Sequence, residues 1–75
     1  MINEELKAKI KQEMKELKAY AAITTGQAAM MAMEKYKNEL SGGMDFDMAS
    51  AREIKNYKRS ITPIRHQIIS EFDAE

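Results

Sequence analysis

Small and apolar side chains recur at steps of three and four through the first half of the chain. Leu6, Ile10, Met14, Leu17, Ala21, Thr24, Ala28 and Met31 fall on one helical face at that spacing. Beyond Gly26 the stripe drifts toward Met33, Tyr36 and Leu40, as an uncorrected 3.6-residue period does over many turns. Asn3, followed by Glu4 and Glu5, supplies an N-cap and first-turn acids that interact favourably with the helix dipole. Ser41-Gly42-Gly43 supplies the stop, because glycine enters the left-handed conformation of a helix end at little steric cost. The pattern predicts one long helix over about residues 4–40. A second stripe, Met44, Met48, Ala51, Ile54, Tyr57, Ile61, Ile64, Ile68 and Phe72, predicts a helix over about residues 46–72 after a short loop at 41–46. Asp45 or Asp47 can cap it. Pro63 lies inside this stripe; a mid-helix proline removes a hydrogen bond and clashes with the preceding turn at a cost of about 3 kcal/mol. Thr62-Pro63 is also a good N-cap and first-position pair, so a kink or break is expected near residues 60–62.

Two all-α architectures accommodate these elements. Continuous helices would be about 54 and 39 Å long, whereas a globule of this chain length has a radius of gyration near 11 Å. An antiparallel helical hairpin would therefore leave apolar surface open, and homodimers or larger assemblies would close it as a helical bundle. The alternative breaks at Thr24-Thr25-Gly26 and at Pro63 and folds back as a compact monomer of four short helices. Thr24 with Gln27 forms a capping-box pattern that favours this second reading. The unbroken apolar phase and the modest cost of one helical glycine, about 1 kcal/mol, favour the first.

Residues 19–33, AYAAITTGQAAMMAM, contain no charged side chain, although 32 % of the chain is charged. Ala21, Ala22, Gly26, Ala28, Ala29 and Ala32 would let another helix approach closely, and Met30, Met31 and Met33 are adaptable contacts. Ordinary core packing accounts for part of this stretch. Its alanines and methionines nevertheless surround more of a helix than one seam covers. Ala21, Gly26, Ala28, Ala29, Met30, Met31 and Met33 are accordingly the candidate partner or oligomer interface.

Composition limits the other possibilities. Seventy-five residues make a single domain with a marginal core, closed by an acidic tail at 73–75. The lack of cysteine excludes disulfides and thiolate zinc, and it fits a reducing, cytoplasmic setting. The charged N-terminal segment has no signal-peptide core, and the charge-free run is too short and too polar to span a bilayer. Twelve basic residues balance twelve acidic ones, so no strong overall field acts on nucleic acid or membrane.

The charges are nonetheless sorted. Arg52, Lys55, Arg59 and His66 fall along one face of the second helix, flanked by Lys58 and Arg65. Such a face can hold phosphates of nucleic acid or a nucleotide, or simply be solvated. His66 has no glutamate three residues before it to complete a di-iron pattern, and Asp45 with Asp47 lacks the remaining ligands of a calcium loop. No phosphate loop, nucleophile elbow or spaced carboxylate pair is present. Neither cofactor nor metal is implied, and catalysis is not expected. The expected function is non-enzymatic: an adaptor, regulator or inhibitor that binds itself and another protein through the Ala/Met face, as small bacterial or phage helical regulators do. Phosphate binding through Arg52, Lys55, Arg59, Arg65 and His66 is the alternative.

Overall fold

The computed structural model describes residues 2–75, which form four helices: α1 (Glu4–Tyr20), α2 (Thr25–Lys35), α3 (Lys37–Leu40) and α4 (Ala51–Ala74). Asn3 opens α1 as the sequence predicts, its Oδ1 accepting the Leu6 N–H at 2.7 Å. The expected helix over 4–40 is not continuous. At Ala21 the backbone turns extended, φ −135° and ψ 148°, and the chain reverses within residues 21–24. The cause is local: Ile23, Thr24, Thr25 and Gly26 are four consecutive weak helix formers. Thr24 also starts a new helix through a complete capping box. Its Oγ1 accepts the Gln27 N–H at 3.1 Å, and Gln27 Oε1 accepts the Thr24 N–H at 2.9 Å.

Helices α1 and α2 run antiparallel, with Lys18 bonded to Thr25 near the turn and Glu13 paired with Lys35 further along. The α2 path survives a one-residue interruption at Tyr36, where Tyr36 N–H still reaches Ala32 O and Leu40 N–H reaches Tyr36 O. The glycine stop forms as read from the sequence. Gly42 and Gly43 have φ of 74° and 90°, and their N–H groups donate to Glu39 and Asn38 carbonyls in a Schellman pair.

The connection is longer than the predicted 41–46, because neither aspartate caps α4. Asp45 instead turns the loop on itself by accepting the Asp47 N–H, and Ser50 starts α4 by a capping box with Glu53. Phe46 docks edge-on against Tyr57, their ring centroids 5.1 Å apart. No break occurs at Pro63: α4 is one helix from Ala51 to Ala74. The proline sits on the exposed side, and the turns before it gain side-chain bonds. Thr62 Oγ1 donates to Lys58 O at 2.9 Å and Ser60 Oγ to Tyr57 O at 2.7 Å.

Helix α4 runs alongside α1 in the same direction, Ser60 and Ile64 lying by Ile2 and Leu6, and Glu71 by Lys7 and Lys11. The core comprises Ile10 and Met14 from α1, Ala28, Ala29, Ala32 and Met33 from α2, and Ile68 from α4. The longest dimension of the molecule is 35 Å, shorter than the roughly 54 Å of a continuous first helix. Thr24, Ala21 and Met31 leave the predicted buried stripe and are exposed.

Lys7 is buried, and its ammonium donates to Glu71 at 3.2 Å and pairs with Glu4 at 3.3 Å. Glu71 is the junction of α1 and α4. It accepts from Lys11 at 2.7 Å, Gln67 at 2.9 Å and Lys7, and these donors hold its carboxyl at about 2, below the ordinary 4.5. Bonding to Glu71 correspondingly raises both lysines. Because the folded carboxyl is depressed, its stabilising contribution is complete above the unfolded value and disappears as pH falls from about 4.5 toward 2. In thermal melts between pH 7 and pH 2, Glu71→Gln is expected to be less stable than the wild type at pH 7. It is also expected to lose less stability across the acid window, so parallel pH curves for the two proteins would refute the assignment.

Candidate protein-interaction groove

The short connection at 21–24 rotates α2 so that its side chains divide between two environments. Ala28, Ala29, Ala32 and Met33 point inward and are buried, while Met30 and Met31 remain 60 % and 51 % exposed. The candidate interface residues thus fall into two groups. Ala28, Ala29 and Met33 belong to the chain's own core, whereas Ala21, Met30 and Met31 are exposed. Gly26, in the first turn of α2, is half-buried; a Cβ built there would meet only Thr24 Oγ1, at 3.9 Å. No neighbouring segment of this chain therefore requires the glycine.

Met30 and Met33 line one wall of a groove between α2 and α4, with Glu34 at its edge. The opposite wall is Tyr57, Lys58, Ile61, Thr62 and Arg65. The spacing of 57, 58, 61, 62 and 65 is that of one α4 face, which is why a single straight helix supplies the whole wall. Burial pushes the Tyr57 hydroxyl above its ordinary value, with the nearby Glu34 charge adding to the shift. Glu34 itself pairs with Lys37 at 3.0 Å, and the Lys37 ammonium sits 4.9 Å from the Phe46 ring centre. The volume is about 310 Å³, at the lower end for ligand pockets, and the lining is suited to receiving a few apolar side chains.

The basic residues also separate by position. Lys58 and Arg65 border the groove, Arg65 being half-buried, whereas Arg52, Lys55, Arg59 and His66 are exposed along α4 away from it. Among the described residues, ion pairs involve Lys7, Lys11, Lys35 and Lys37; none reaches Arg52, Lys55, Lys58, Arg59 or Arg65. No group of three or more His, Asp or Glu among the described residues is placed to hold a metal ion. No helix among them is long and apolar enough to cross a membrane. No protein family, curated protein or solved structure matches the chain.

Tyr57 and Ile61 are absent from the interface read in the sequence, where they appear only as members of an apolar stripe. Membership of that stripe is the available sequence signal, but which helix lies opposite is set by tertiary placement. The packing around Gly26 yields a direct test. Gly26→Ala is expected to stabilise the fold by about 0.4–1 kcal/mol in urea titrations, because the backbone there is helical and the added methyl is unobstructed. A loss of stability would show that α2 needs this glycine.

Proposed function

We propose that the protein is a non-enzymatic interaction module, an adaptor, regulator or inhibitor that docks another protein on the α2/α4 groove and the adjoining methionine edge. The observation that carries this reading is the pair Met30 and Met31, adaptable apolar side chains that stand out of α2 beside an apolar groove. The chain's total exposure supports it. Its accessible surface is 5354 Å², against about 4,700 Å² for an ordinary folded monomer of its 8.6 kDa mass. Self-association is a second use of the same surface, and a homodimer formed there would bury Met30 and Met31 together.

Sedimentation at micromolar concentration tests self-association, and affinity capture with mass spectrometry tests partner binding. Met30→Glu is expected to leave the melting temperature unchanged, since the side chain is exposed, while abolishing the captured partner and any dimer. Partners retained equally by wild type and Met30→Glu would move the binding face elsewhere.

A second reading rests on a different observation, the exposed basic row of Arg52, Lys55, Arg59 and His66 without carboxylate partners. It would hold a phosphate-bearing ligand, nucleic acid or nucleotide. Binding of a labelled 20-nucleotide single strand should then fall steeply as salt rises and disappear in Arg52→Glu/Arg59→Glu. No detectable binding at low salt would reject this reading.

A further inference from the structure

The groove is lined by apolar residues from both helices and is unequal in charge between its two sides. On the α4 side stand Lys58 and Arg65, neither paired with a carboxylate. On the α2 side stands Glu34, paired with Lys37 at 3.0 Å on the exposed surface. The α4 side therefore offers two unpaired cations, against a single carboxylate on the α2 side that already has a lysine partner.

Lys58 and Arg65 are seven residues apart on one straight helix, two turns or about 10.5 Å along its axis. That is also the separation of positions i and i+7 on any helix laid alongside. Apolar side chains at the intervening i+3 or i+4 position would enter between Met30 and Ile61, the mode in which amphipathic helices seat in grooves. Arg65, half-buried, can supply a guanidinium fork for one carboxylate, and Lys58 a mobile point charge for the other. A neutral or basic helix would leave both cations without a counter-charge while partly desolvating them.

We infer that the occupant of the groove is an acidic amphipathic helix of a partner protein, bearing carboxylates seven residues apart on the edge that meets α4. This rests on the docking reading of the groove and adds the chemistry of what docks. The phosphate backbone of a nucleic acid would meet the same two cations but leave the apolar space between Met30 and Ile61 unfilled.

A display library of random 16-residue peptides selected against the intact protein tests the inference, with fluorescence anisotropy on the enriched peptides. Enriched sequences are expected to be net acidic, to carry Asp or Glu at i and i+7, and to lose binding to Met30→Glu. The Lys58→Glu/Arg65→Glu variant should weaken them roughly tenfold or more, the scale of a lost charge-assisted hydrogen bond. Lysine versions of the same peptides should regain binding to that variant. Enriched peptides that are neutral or basic, yet still lost on Met30→Glu, would overturn the acidic occupant and leave the groove standing. Peptides indifferent to Met30→Glu, or an unenriched library, would overturn both. Competition by a 20-nucleotide single strand at moderate salt, with peptide binding unaffected by Met30→Glu, would assign the cations to phosphate instead.

Discussion

Everything in this fold depends on how closely α2 lies against α1. Three of the four buried α2 positions are alanines, so that face offers methyl groups where longer side chains would hold the helices apart. Ile10 and Met14 then fill the space from the α1 side, and Ile68 closes it from α4. Burying one such aliphatic side chain contributes about 1.5–3 kcal/mol, so a core this small has little to spare. A larger residue on the alanine face would overpack the cluster it shares with Ile10, Met14 and Ile68.

That attachment is electrostatic as much as apolar. Helix α4 buries one residue completely, and the bonds from Lys7 and Lys11 to Glu71 fix its position along α1. Lys7 is accommodated because its ammonium has two carboxylates within reach, which satisfies a charge that would otherwise be costly to desolvate. The N-terminal half of α4 has no comparable anchor. It is held by Phe46 against Tyr57 and by half-buried isoleucines, which leaves its basic face and one wall of the groove open.

The elements were more legible in the sequence than their arrangement. The caps at Asn3 and Thr24, the glycine stop and the Ile54 to Phe72 stripe all report local backbone physics, and each is present. The reversal at 21–24 was visible in the Thr24/Gln27 pair, yet the hydrophobic period ran straight through it and argued for continuity. Periodicity cannot distinguish one long helix from two helices whose inward faces happen to be in phase. The Ser50/Glu53 box was obscured by two nearer aspartates that also resemble caps. The sequence predicts an interruption at Pro63, but the proline occupies the exposed side, and hydroxyls in the preceding turns bond their own backbone. For the candidate site, an excess of methionine surface was legible, whereas its division into core and groove was not. The division depends on the rotation of α2, and the opposing wall on contacts between distant segments.

The Glu71 junction also has a consequence for the order in which the structure forms. Lys7 and Glu71 are 64 residues apart, whereas α1 and α2 are joined by residues 21–24 alone. Closing a short loop costs less chain entropy than closing a long one, so the α1/α2 pair is the natural nucleus and α4 the late arrival. The Lys7 and Lys11 bonds to Glu71 would then be among the last contacts to close, locking α4 along an α1/α2 pair already in place.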